Sequence, residues 1–177
     1  MTRSVPVLVS LLLAAVVGLV APPAQAAAPY CGITWGSLPK SVSTGSTGEV
    51  VDVRAGRHAC YDRLVLDVDG DAQGYFVSYV EVVVRGGSGD VVPLRGGARL
   101  EVVATAPAMA TDAWFLPSGE LVDTTGYRTF RHVAWAGSHE SQTTIGLGVR
   151  ARLPFRVFLL DGPGSGSRMV VDVAHRW

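Results

Sequence analysis

The sequence predicts an all-β protein, a single antiparallel β-sandwich or barrel-like domain, and three observations carry that reading. Runs of β-branched and aromatic residues recur at short intervals between Gly- and Pro-rich turns, in a chain with 21 Gly and 10 Pro. Beyond the N-terminal leader, no stretch shows a helical stripe. Most tellingly, one strand is written twice: Arg63-Leu64-Val65-Leu66-Asp67-Val68 returns as Arg168-Met169-Val170-Val171-Asp172-Val173. Each copy puts Arg, Val and Asp on one face and three apolar residues on the other. Antiparallel pairing sets Arg63 against Asp172 and Asp67 against Arg168, whereas parallel pairing sets like charges together. The copies are therefore expected to be antiparallel neighbours.

Residues 1–26 read as a secretory signal peptide. Arg3 precedes an apolar run from Val5 to Ala21, and Ala24-Gln25-Ala26 suits cleavage after Ala26. The apolar run is shorter than a bilayer span requires, so membrane contact is expected only through this signal before cleavage, and the protein is expected to be secreted, extracytoplasmic. About 150 residues remain, enough for one core.

Charge is balanced, with 15 Lys+Arg against 15 Asp+Glu and no block of one sign. That argues against a nucleic-acid partner, which needs a basic footprint. Cys31 and Cys60 form an even pair in an exported chain and are expected to be disulfide-bonded. The bridge would tie an N-terminal arm and linker, residues 27–48, to the domain at residues 49–177.

In chain order, Ser37–Gly48 is Ser/Thr/Gly-rich and reads as a loop. Val50–Arg54 is a short strand with a turn at Ala55-Gly56, followed by the organising strand, which ends in Asp69-Gly70-Asp71. Tyr75–Val84 reads as one long strand. Val91–Leu94 and Ala98–Thr105 follow as a meander, split by Arg95-Gly96-Gly97. Ala106–Phe130 breaks the rhythm with Pro107, Pro117, Gly119 and Gly126, and a connection this long folds on itself or has a job. Strand character returns from His132 to Val149, where the glycines of Thr143–Val149 suggest a bulge or close backbone approach. Phe155–Leu160 and Arg168–Val173 form the closing pair.

Catalytic constellations are weak. Ser88 and Ser165 lack the Gly-x-Ser-x-Gly elbow. His139-Glu140 begins a zincin-like motif, but Thr143 stands where the second histidine is needed. His58, His132, His139 and His175 show no pair at ligand spacing, so no metal site and no cofactor is expected. Asp67, Asp69, Asp71 and Glu140 offer carboxylates for sugar hydrolysis, but turn chemistry and cross-strand pairing explain them better. No enzyme activity is expected. Binding is the better-supported class: Trp114, Phe115 and Tyr127 in the long loop could stack on sugar rings or fold inward as a lid. Arg63, Asp67, Arg168 and Asp172 form a polar ladder that could read a saccharide or a peptide.

The chain resembles the AMIN-like domain family of secreted bacterial proteins and, more distantly, the AMIN domain found beside cell-wall amidases. The likeness rests on His58-Ala59-Cys60-Tyr61-Asp62-Arg63-Leu64-Val65-Leu66-Asp67-Val68, Tyr75-x-Val77-x-Tyr79, Val92-Pro93-Leu94-x-Gly96, Pro154-Phe155-Arg156-Val157 and the closing Arg168–Val173. It spans roughly Val50 to His175. The resemblance implies a β-sandwich without catalytic machinery that contacts peptidoglycan or another cell-wall glycan or peptide. An envelope protein is a further possible partner. The chain ends at Trp177 with no amidase domain, so targeting of an enzyme in cis is not expected. Where the family is expected to carry Glu-Gly before the Thr-rich strand, this chain has Glu140-Ser141. Two other readings stay open: a carrier of a small apolar ligand in a sandwich cavity, and a protein-interaction or inhibitory module.

Overall fold

The computed structural model describes residues 29–72 and 74–177, so the leader lies outside the described residues. The strands are β1 (Lys40–Val42), β2 (Glu49–Arg57), β3 (Tyr61–Asp69), β4 (Tyr75–Val80), β5 (Val83–Val84), β6 (Val91–Val92), β7 (Ala98–Ala104), β8 (Phe130–His139), β9 (Gln142–Val149), β10 (Phe155–Asp161) and β11 (Ser167–Ala174). Two three-residue 3-10 turns, Tyr30–Gly32 and Asp112–Trp114, are the helical pieces among the described residues.

Two antiparallel sheets face each other. One has the order β10-β11-β3-β2 and the other β1-β4-β7-β9-β8, while β5 and β6 form a separate ribbon. The twice-written strand behaves as its charges require. β3 and β11 are antiparallel neighbours, with Arg63 opposite Asp172 and Asp67 opposite Arg168. Their alternate residues, Leu64, Leu66 and Val68 with Met169, Val171 and Val173, are buried. They meet Leu100 and Val102 of β7 and Ile145, Leu147 and Val149 of β9 in one continuous apolar cluster. Phe130 and Phe155, both fully buried, fill it from β8 and β10. This burial is the main stabilising term, at about 1.5–3 kcal/mol for each large side chain removed from water.

Several local features differ from the sequence reading or refine it. The Ser37–Gly48 loop contains β1, which pairs with β4; three residues, two of them exposed, are too short to show a period. β2 runs through Ala55-Gly56 to Arg57, because these residues pair with Leu64, Arg63 and Asp62 of β3. Tyr75–Val84 is not one strand. The chain leaves the sheet at the exposed Glu81 and Val82, and β5 pairs with β6 instead. There Val83 and Val92 are buried against Ala134 and Ala136 on the outer side of β8. Finally, the glycines of β9 mark close approach: a Cβ at Gly148 would lie 2.0 Å from the Arg95 carbonyl oxygen. The β8–β9 turn consists of Glu140 and Ser141, with φ of 49° and 61°. That is the left-handed pair a tight two-residue hairpin demands, and a position that favours glycine.

Candidate functional site

The outer face of the four-stranded sheet is built in three rows by strand alternation. The first row runs Arg156, Asp172, Arg63, Gly56; the second Phe158, Val170, Val65, Arg54; the third Leu160, Arg168, Asp67, Asp52. Asp172 is fully buried although it points outward, because arginines close over it from both sides. Arg63 forms a two-point clamp, Nε donating to Oδ1 at 2.6 Å and Nη2 to Oδ2 at 2.9 Å. Arg156 Nε donates to Oδ2 at 2.8 Å. Charge-assisted pairs of this geometry are strong and directional. The hydrogen bond to Asp172 raises the Arg63 guanidinium above its ordinary value, so it stays cationic. Two cations about one carboxylate leave the cluster with an excess positive charge.

Aromatic rings hold the guanidinium groups from the sides. Arg156 lies 5.0 Å from the Phe158 ring centre, 5.3 Å from Tyr61 and 5.6 Å from Trp35. Arg63 lies 5.2 Å from Tyr61 and 5.4 Å from Phe158, all within cation–π range. Val65 and Val170 in the middle row are buried on this outward face, covered by the stems of the long side chains around them.

Trp35 comes from the N-terminal arm, which a disulfide and a backbone hydrogen bond tie to the domain. The expected Cys31–Cys60 disulfide is present and ties the arm to the start of β3. Trp35 Nε1 donates to the Tyr30 carbonyl at 2.8 Å, and Phe155 N donates to Gly36 O at 2.8 Å. The last contact extends the β10 edge and keeps Trp35 over the sheet. The ring sits 6.0 Å from Tyr61.

Of the sequence candidates, Arg63 and Asp172 form the heart of this face. Asp67 and Arg168 are opposite each other as expected, yet they are not ion-paired. Asp67 is gripped by Arg54, with Nη2 to Oδ1 at 2.9 Å, and Arg168 Nη2 donates to the Asp161 carbonyl at 3.0 Å. The reason is Asp52, which faces Asp67 from β2. Two adjacent carboxylates draw in the nearest cation on that side. The loop aromatics lie apart from the face and turn inward. Trp114 packs edge-on against Trp135 at 5.7 Å, and Tyr127 stacks on Phe130 at 5.8 Å. Phe115 is half-buried against the core. They close one end of the sandwich as a lid, strapped down by Arg95 Nη1 on Glu120 at 2.6 Å.

Arg156, Tyr61, Phe158, Trp35 and Arg54 join the site without having been sequence candidates. Arg156 and Phe158 were legible, since alternation in Phe155–Leu160 places them on one face beside the closing strand. Trp35 was not, because its place depends on the path of the arm. Among the described residues, no group of three or more His, Cys, Asp or Glu side chains is placed to hold a metal ion. The surface is suited to recognition, with flat rings for stacking and guanidinium edges for oxyanions.

A family model for the AMIN-like domain matches residues 48–175, from the start of β2 to the end of the closing strand. The chain belongs to the AMIN-like domain family. Membership relates it to the cell envelope and to the extracytoplasmic space, where a disulfide persists. AMIN-like domains are in general non-catalytic binding modules. No curated protein matches the sequence. The matched region holds Tyr61, Arg63, Arg156, Phe158 and Asp172, whereas Trp35 and Cys31 lie before it. In this AMIN-like domain the arm therefore adds a ring to a face built by the shared sandwich.

Proposed function

We propose that this AMIN-like domain is a secreted, non-enzymatic module that binds peptidoglycan through the outer face of its four-stranded sheet. Sugar rings stack on Trp35 and Tyr61, and carboxylates of the stem peptides meet the outward edges of Arg63 and Arg156. The observation that carries this reading is the Arg63–Asp172–Arg156 clamp set among three aromatic rings. A buried carboxylate that holds two arginines rigid beside flat apolar plates is a preorganised surface, and preorganisation lowers the entropy lost on binding. The filled interior between the sheets supports a surface ligand over an internally carried one.

The test is co-sedimentation of the disulfide-bonded protein with purified sacculi across a salt series. Saturable binding that weakens with salt but survives moderate ionic strength is expected from a face combining charge and stacking. Recovery in the pellet no greater than that of an unrelated secreted β-sandwich would overturn the reading.

A further inference from the structure

A second polar site lies at one end of the sandwich, below the β2–β3 turn. A hollow of about 490 Å³ is lined by Arg57, His58, Asp62, Gly126, Arg128 and His175. Its base is a built network. Asp62 is fully buried; its Oδ2 accepts from the backbone N–H groups of Thr129 and Phe130, the latter at 3.1 Å, and its Oδ1 lies 3.1 Å from His175 Nε2. Both carboxylate oxygens are thus satisfied, and the contact turns Nε2–H toward Asp62. His175 is itself only 8% exposed, and its other ring nitrogen, Nδ1, is buried without a hydrogen-bond partner.

The rim is cationic and uncompensated. Among the described residues, neither the Arg57 nor the Arg128 side chain has an ion-pair or hydrogen-bond partner; Arg57 rests over the Tyr127 ring at 5.9 Å. His58 stacks on Tyr61 at 4.6 Å, which fixes its place at the mouth. The single carboxylate of the hollow, Asp62, is fully buried with both oxygens hydrogen-bonded and is paired with neither guanidinium. Two guanidinium groups without ion-pair partners, flanking a recess, suit a compact oxyanion.

From this geometry we infer that the hollow is a binding site for an oxyanion group, a phosphate or a carboxylate, held by Arg57 and Arg128 with His58 and His175 beside it. The hollow adjoins the wall-binding face through the His58–Tyr61 stack, but neither of its arginines takes part in that face. Guanidinium forks accept either anion, so the two sources are separated by experiment.

The experiment is NMR titration of the ¹⁵N-labelled, disulfide-bonded protein with inorganic phosphate and, separately, with acetate, at constant ionic strength set by chloride. Saturable shifts of the His175 and His58 imidazole and the Arg57 and Arg128 Nε–H signals are expected. Response to phosphate alone assigns a phosphate-bearing ligand, and response to acetate alone a carboxylate. The double variant Arg57→Gln/Arg128→Gln changes exposed side chains only and should weaken binding about tenfold or more. Arg85→Gln, an exposed change elsewhere, should leave it unaltered. Shifts that never saturate with either anion, or that survive the double variant, would overturn the inference.

Discussion

At the scale of single residues, Asp172 decides the most. It is fully buried between two cations, so Asp172→Ala leaves the guanidinium groups of Arg63 and Arg156 facing each other without compensation. Breaking a buried pair in this way costs about 3–5 kcal/mol. For a chain of this size that lowers Tm by roughly 6–20 °C, and thermal unfolding followed by circular dichroism checks it. A shift of a degree or two would mean that the clamp is not structural. The charge pattern announced this residue, because a strand carrying Arg and Asp four apart, repeated later in the chain, admits one register. The pattern placed Asp67 opposite Arg168 but did not announce its ion pair with Arg54, which depends on Asp52 arriving opposite it from a third strand.

Tyr79 supplies a second residue-scale test. Its hydroxyl donates to Leu153 O at 2.6 Å and accepts from Leu153 N at 2.9 Å. Burial pushes its pKa up to about 12, against smaller opposing effects of the Leu153 hydrogen bond and Arg152. An unfolded tyrosine ionises near 10, so the unfolded chain releases this proton first. The stabilisation is whole below about pH 10 and is lost as pH rises toward the folded value. Tyr79→Phe should flatten that alkaline loss while lowering stability at neutral pH by about 1–3 kcal/mol. Urea unfolding at pH 7 and pH 11 reads both effects, and an unchanged alkaline slope would contradict the assignment.

At the scale of elements, the 106–130 connection is a lid rather than a free binding loop. Its aromatics are spent on Trp135, Phe130 and the core. Trp114→Ala should therefore lower stability by about 1–3 kcal/mol and leave wall binding unchanged. The strap is pH-dependent. The hydrogen bond from Arg95 holds the Glu120 carboxyl below its usual value, so its contribution is present at neutral pH and lost as pH falls through that lowered value. The near-UV signal of the Trp114–Trp135 pair should fade on acidification in the native protein, and in Glu120→Gln it should already be weak at neutral pH. A signal indifferent to both would remove the strap from the account. Sequence reading found most strands because alternation and turn residues agree there. It merged β4 with β5 because valines suit either sheet, and only the packing of Val83 and Val92 on Ala134 and Ala136 decides between them. The lid could be suspected from its length, but its direction depends on partners far along the chain.

At the scale of the whole molecule, the shared sandwich provides the clamp and the arm completes the surface. The Cys31–Cys60 bridge closes a separation of 29 residues, which stabilises by about 3–4 kcal/mol in the chain-entropy model. Cys31→Ser/Cys60→Ser should lose that much in denaturant unfolding. The architecture was legible from periodicity and the repeated strand, whereas the joining of arm and sheet into one face was not, since nothing local in Trp35 names Tyr61 and Arg156 as neighbours. The central claim is that this face, and not the lid, meets the wall. It is tested most directly by comparing sacculus co-sedimentation of Trp35→Ala/Arg156→Gln with that of Trp114→Ala, both confirmed to be folded. Loss of binding in the first with retention in the second is the predicted result. Retention in the first with loss in the second would contradict the account and return the site to the loop.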